Sequence, residues 1–115
     1  MKNIYDVSFF RVSSDEMTNT IKYEVGSKIS FDVNNRLKAY SDILSGIYNY
    51  NLDHRDSSVS LISCSASKFR VNVDLSDDIN MTYDIAFDII SDILKDAKYV
   101  TLKVMNGDDK DAKRA

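Results

Sequence analysis

The chain has no proline, no tryptophan, three glycines, one cysteine and one histidine among its 115 residues. A single cysteine excludes an internal disulfide and indicates a reducing cytoplasm. Three dispersed glycines leave no glycine-rich loop of the kind that holds a phosphate group. One nitrogen and one sulfur ligand are too few for a transition-metal site, which needs three or four converging ligands. The sequence therefore predicts no metal and no cofactor.

Long apolar runs are also missing, so we expect no segment that spans a bilayer and no membrane partner. The N-terminal residues lack the apolar stretch of a secretory signal, which again favours a cytoplasmic location. With 43% hydrophobic and 29% charged residues, the composition is typical of a folded globular protein. We expect one α+β domain over residues 1–105 and a mobile charged tail over residues 106–115.

Positive charge is scarce in one segment of an otherwise balanced chain. The formal net charge is −3, but residues 74–97 contain seven aspartates and one lysine, a net charge of −6 (seven minus one). Such an acidic segment disfavours direct nonspecific binding to nucleic acid. It favours a basic partner, or it serves solubility alone.

The first third of the chain is rich in aromatic and β-branched residues and predicts strands. Residues 3–12 are predicted to form one strand. Residues 21–25 and 29–33 each alternate apolar and polar side chains. A three-residue loop at residues 26–28 would pair their apolar faces, so the sequence predicts a hairpin there.

A second hairpin and a closing strand are predicted in the rest of the chain. A three-residue turn at residues 66–68 would pair Leu61 with Val73. Residues 99–105 alternate in the same way and predict the last strand.

The first helix is predicted to begin after Asn34 or Asn35 and to end near Tyr50. Its apolar residues recur at spacings of three and four, which predicts one buried stripe. The stripe consists of Leu37, Tyr40, Leu44, Ile47 and Tyr48, widened by Ile43. Gly46 lowers helix propensity by about 1 kcal/mol relative to alanine and indicates a close packing point.

The second helix is predicted over residues 80–97, with an apolar stripe on one side and carboxylates on the other. The stripe contains Tyr83, Phe87, Ile90, Leu94 and Ala97. Asp84, Asp88 and Asp92 lie four residues apart and form a row on the opposite face, with Asp96 nearby.

The predicted order is three strands, a helix, two strands, a helix and a strand. Its last six elements follow the βαββαβ order of the ferredoxin-like fold. We therefore expect an antiparallel-rich sheet with two helices packed on one face and two extra N-terminal strands.

The residues that could carry catalysis are few and isolated. A nucleophilic pair would need Cys64 and His54 side by side, but Cys64 lies in a predicted strand and is better explained as a small core residue. Asp53 and Asp56 flank His54, in a segment better explained as a solvated loop than as a metal site. The sequence predicts a protein that is not an enzyme.

The acidic row is the most informative candidate site. Like charges four residues apart destabilise a helix by a few tenths of a kcal/mol per pair. One interpretation is a solvated face that reflects coding bias, and the other is a docking face for a basic protein surface. Tyr48 and Tyr50, at the end of the first helix, are candidate anchors beside it, although the edge of the core explains them equally well. In general character, small acidic α+β proteins of this size resemble phage or mobile-element accessory proteins, including anti-CRISPR-type inhibitors.

The alternative function is a ferredoxin-like module that binds nucleic acid, or assembles, through its open sheet face. RNA-recognition modules place stacking aromatics there, and Tyr5, Phe9 and Phe69 are the candidates. Core packing explains the same three residues. The tyrosines or an unpaired sheet edge could also form a homodimer, so the sequence leaves monomer and homodimer open.

Overall fold

The computed structural model describes residues 5–103, and the predicted tail lies outside these residues. The fold is α+β, with five strands and two α-helices. The elements are β1 (Val7–Asp15), β2 (Thr20–Ser30), α1 (Arg36–Asp53), β3 (Ser58–Cys64), β4 (Lys68–Ser76), α2 (Tyr83–Leu94) and β5 (Thr101–Leu102). A 3-10 turn at Val33–Asn35 leads into α1.

The sheet is antiparallel, with the strand order β1-β2-β4-β3. β5 pairs with Ile29 and Ser30 at the end of β2. It lies on the same side of β2 as β1, because Lys28 donates to the carbonyl of Asp6 and accepts from the amide of Lys103. α1 connects β2 to β3, and β4 lies between these two strands.

The predicted hairpin at residues 26–28 is wrong, because β2 is one continuous strand that pairs with β1 and β4. The alternation of core-facing and outward-facing residues continues through residues 26–28, where the sequence predicted a loop. Ser27 is as buried as Val25 and Ile29, and its small side chain fits the core face of the strand. Consequently two strands precede α1 in the described residues, where the sequence predicted three.

The second hairpin is present, but its predicted register is two residues off. Leu61 pairs with Val71 instead of Val73, and a bulge at Ile62 adds one unpaired residue. A shift of two residues keeps each side chain on its predicted face, so the hydrophobic pattern alone does not distinguish the two registers.

The outer edge of β3 is partly covered by α1. The side chain of Asn51 accepts from the amide of Val59 and donates to the carbonyl of the same residue, at 2.8 Å in both cases. These two groups would otherwise be free to pair with another strand.

Buried strand residues lie on one face of the sheet, and both helices cover that face. The alternating positions of β2 and β4 fill it, joined by Val59 of β3. The opposite face is polar and open. From the strands, the core takes Ile21, Tyr23, Val25, Ile29, Val59, Phe69, Val71, Val73 and Leu75.

The predicted buried stripe of α1 is mostly wrong. Of its residues, only Ile47 and the flanking Ile43 are buried. The helix buries Ala39, Ile43, Ile47 and Tyr50 against the sheet and α2. At 100° per residue, this face is rotated by roughly a quarter turn from the predicted one. Leu37, Leu44 and Tyr48 are exposed instead.

The rotation of α1 about its axis is determined by the contact between Gly46 and α2. A Cβ atom at position 46 would overlap the backbone carbonyl oxygen of Ile93 in α2. The two helices therefore approach each other backbone to backbone, and only glycine fits at the crossing. The predicted close packing point is confirmed, and it directs the Gly46 side of α1 toward α2.

We expect Gly46→Ala to destabilise the protein by about 2 kcal/mol, measured by urea unfolding. Alanine favours a helix by about 1 kcal/mol, but the overlap with a backbone oxygen forces the helices apart at a cost of about 3 kcal/mol, the upper end of the usual range for overpacking. Ser45→Ala is the matched control, since Ser45 is exposed one residue away and its loss should leave stability within about 0.5 kcal/mol of wild type. A more stable Gly46→Ala variant would contradict the crossing.

Candidate functional site

The exposed carboxylates of α2 are Asp84 and Asp88. They lie one helical turn apart, and neither forms an ion pair with a described residue. Asp84 occupies the first turn, behind the N-cap Thr82, where the helix dipole favours a negative charge. These two aspartates form the accessible part of the predicted row.

Asp92 and Asp96 do not extend this exposed row. Asp92 is half-buried and lies 3.4 Å from His54 Nε2 and 3.4 Å from Lys95 Nζ. Asp96 follows the end of α2, because the helix stops at Leu94 and not at residue 97. The carboxylate of Asp92 instead joins the end of α1 to α2.

The two predicted tyrosine anchors lie in different environments. Tyr50 is 7% exposed, so it is a core residue and not a surface anchor. Its ring stacks on His54 with centroids 4.0 Å apart, and its hydroxyl lies 3.3 Å from Ser57 Oγ. Tyr48 is 65% exposed, but it lies about 200° around α1 from Gly46, the residue that faces α2. The carboxylates and Tyr48 therefore do not share one surface.

Cys64 and His54 form no contact with each other. Cys64 ends β3, half-buried against the core, and burial raises the pKa of its thiol. His54 follows α1, with Nδ1 3.0 Å from the carbonyl of Tyr50. Residues 5–103 contain no group of three histidine, cysteine, aspartate or glutamate side chains placed to hold a metal ion.

The cleft between the helices is small, at about 70 Å³, and two of its four lining aspartates, Asp42 and Asp92, are already engaged. Asp42 accepts hydrogen bonds from the backbone amides of Lys98 and Tyr99, at 2.9 and 3.0 Å. Together with the Asp92 contacts, these bonds connect α1 to the end of α2 and to the segment that follows it. These two acids therefore connect elements of the fold.

The open face of the sheet lacks the aromatic platform of the alternative function. Phe69 is fully buried under the helices, and Phe9 packs edge-on against buried Tyr23. Tyr5 stacks on Phe87 of α2 with centroids 5.1 Å apart. The large aromatic on the open face is Phe10, at 56% exposed.

The charges of the open face are mixed. Arg70 Nη1 lies 2.8 Å from Glu24 Oε2, so the most central pair of charges on this face is neutralised within the protein. Lys28 lies 3.3 Å from Asp6. The face therefore offers no continuous basic stripe along which a nucleic-acid backbone could lie.

The outer face of α1 carries an apolar surface, most of which the sequence assigned to the core. Four large residues follow one another at intervals of four positions, and a fifth lies beside them. We name this set the α1 ridge: Tyr40, Leu44, Tyr48 and Leu52, flanked by Leu37. Leu37 is 78% exposed, and Leu44 and Leu52 are just over half exposed.

A shallow apolar hollow of about 220 Å³ lies between the α1 ridge and β3. Tyr40, Ile43 and Leu44 line it from the helix, and Leu61 and Cys64 line it from the strand. A void of about 150 Å³ already holds a benzene molecule, so one large side chain fits here. The sequence already contained the pattern that produces this surface. α1 has two overlapping apolar stripes, and only one of them can be buried against the sheet.

Comparison with protein-family models, with curated proteins and with solved structures returns no match. Across residues 5–103, neither α-helix combines the length and the apolar character that crossing a membrane requires.

We expect the free energy of unfolding to fall above about pH 10 in wild type, and to fall less steeply in Tyr50→Phe. Burial raises the pKa of Tyr50, and Asp92 and Asp56 add to this shift against the opposing hydrogen bond from Ser57. The unfolded chain then releases its phenolic proton at a lower pH than the folded protein, so rising pH favours unfolding.

The measurement is urea unfolding at neutral pH and at about pH 11, which lies above the ordinary tyrosine pKa. Tyr48→Phe is the control, because it removes an exposed hydroxyl and should retain the wild-type alkaline loss. An identical alkaline loss in wild type and Tyr50→Phe would show that Tyr50 does not contribute.

Proposed function

We propose that this protein is a non-enzymatic binding protein that docks the acidic face of α2 on a basic surface of a protein partner. The observation that carries this proposal is the pair Asp84 and Asp88, two exposed carboxylates that pair with no cation of residues 5–103, held one turn apart on a well-packed helix. Partner cations at such a site would gain attraction without first displacing an internal ion pair.

The partner that best fits this chemistry is a nucleic-acid-binding protein or complex. A basic channel that receives phosphates can receive two carboxylates about 6 Å apart, the rise of one helical turn. Duplex DNA carries one charge per roughly 1.7 Å of axis, so the two aspartates would block a few phosphate positions and would not imitate a duplex. An accessory inhibitor of phage or mobile-element type, similar in character to anti-CRISPR proteins, would act in this way from the cytoplasm.

We also propose that the fold is a ferredoxin-like plait with one added N-terminal strand. The support is the split βαβ arrangement, in which β4 lies between the two strands that α1 connects. The alternative function for such a fold, nucleic-acid binding on the open sheet face, has less support here. Among the described residues of that face, Phe10 is the large exposed aromatic, and Arg70 is already paired with Glu24.

The test is to capture the partner from host lysate on the immobilised protein and to compare its affinity for wild type and for Asp84→Asn/Asp88→Asn. We expect the double variant to bind about tenfold more weakly, since exposed ion pairs contribute about 0.2–1 kcal/mol each. The salt dependence of binding should also become shallower, because fewer charges meet at the interface.

Glu16→Gln/Asp56→Asn is the matched control, since it removes two exposed negative charges outside α2. We expect it to retain wild-type affinity, which would separate a local effect from that of net charge. Equal affinities for wild type and the α2 variant would contradict the proposed docking face.

A further inference from the structure

The α1 ridge is an apolar face that no described part of the chain covers. It extends over about four helical turns, and Leu37, Leu44, Tyr48 and Leu52 each expose more than half of their surface. A contiguous exposed patch of this kind on a folded protein marks an interaction surface.

We infer that the α1 ridge is the interface of a two-fold homodimer, in which α1 packs antiparallel against α1 of a second copy. This inference concerns a different surface from the acidic face of α2 and does not depend on the proposed function.

The spacing of the ridge is self-complementary. Rows of side chains four residues apart pack into the matching grooves of another helix at a crossing angle of about −50°, the commonest class of helix packing. A two-fold axis at the middle of the ridge would place Leu44 opposite Tyr48 of the second copy, and Tyr40 opposite its Leu52. Each apolar side chain thereby meets another one.

The helix dipoles favour the antiparallel orientation. In an antiparallel pair, the positive N-terminal end of one helix lies beside the negative C-terminal end of the other, whereas a parallel pair brings like ends together.

The exposed area is sufficient for a dimer of modest affinity. Each of the four exposed ridge residues offers on the order of 100 Å². Two copies and the rim around them would bury about 1,000 Å² in total, near the lower limit for a specific interface. The hollow beside the ridge adds a place for one large side chain of the second copy, next to Leu61 and Cys64. We therefore expect a dimer that dissociates on dilution.

The chain's own remaining residues are poorly suited to cover the ridge. Residues 1–4 and 104–115 contain four large apolar side chains, Met1, Ile4, Val104 and Met105, and are otherwise charged, polar or small. Such a composition does not match a ridge of leucine and tyrosine, so a second copy is the better occupant.

The primary test is sedimentation equilibrium from low micromolar to near-millimolar concentration. We expect the mass of wild type to rise from 13.1 kDa toward twice that value, and the mass of Tyr48→Glu to stay at 13.1 kDa throughout. Phe10→Glu is the matched control, because Phe10 is equally exposed on the open sheet face and its variant should dimerise like wild type. Far-ultraviolet circular dichroism and thermal melts establish that both variants are folded.

Three results would overturn the inference. The first is a wild type that remains a monomer at every concentration, which would leave the ridge for a different protein. The second is a dimer that Tyr48→Glu leaves intact, and the third is a dimer that Phe10→Glu weakens as strongly as Tyr48→Glu does.

Cys64 provides an independent readout of the same interface. Because it lines the hollow, the second copy should shield it, so its alkylation by iodoacetamide should slow several-fold as wild type is concentrated. The Tyr48→Glu variant should react at one rate at all concentrations. Alkylation of wild type that is independent of concentration across the monomer–dimer transition would place the interface elsewhere.

Spin labels test the orientation of the two helices. A label on Arg36→Cys in a Cys64→Ser background would lie about 30 Å from its counterpart along an antiparallel pair, given 1.5 Å of rise per residue. A parallel pair crossing at the same angle would hold the two labels only about 15 Å apart, and such a distance would contradict the antiparallel arrangement.

Discussion

The approach of Gly46 to the backbone of Ile93 determines how α1 lies on the sheet. A helix with several apolar positions on more than one side can bury different faces, and this contact selects one of them. With Gly46 directed toward α2, Ile43 and Ile47 enter the core and Leu44 and Tyr48 remain outside. Hydrogen bonds from Lys98 and Tyr99 to Asp42, on the same side of α1, hold the helix in this rotation.

Most elements of the fold could be predicted from the sequence, because strict alternation and helical spacing are local signals. β4 and α2 lie close to where the pattern placed them. The single strand β2 could not be separated from a hairpin, because Gly26 and Ser27 are common in turns and only the pairing with β1 and β4 makes an extended chain favourable there. The face that α1 buries could not be predicted either, since it depends on a contact with a residue 47 positions further along the chain.

In the candidate site, too, features set by local spacing were predictable and features set by contacts between distant residues were not. The row of aspartates on α2 is a property of helical spacing, and Asp84 and Asp88 lie where the spacing predicts. The contact of Asp92 with His54 depends on how α1 ends, and the burial of Tyr50 depends on how α1 is rotated. As a result, the acidic face and the exposed tyrosine lie on different sides of the helix pair. They constitute two surfaces rather than the single one that the sequence indicated.

In this fold α1 turns Gly46 toward α2 and the α1 ridge toward solvent or a second copy. Isotope-filtered nuclear Overhauser spectra of a mixture of labelled and unlabelled protein test this rotation. We expect contacts between the α-protons of Gly46 and the methyl groups of Ile93 within one chain. We expect contacts from the ring of Tyr40 to Leu52 only between chains, because these two residues lie about 18 Å apart along one helix. Contacts between the Tyr48 ring and core residues such as Val73 within one chain would contradict the account, because they would require the opposite face of α1 to be buried.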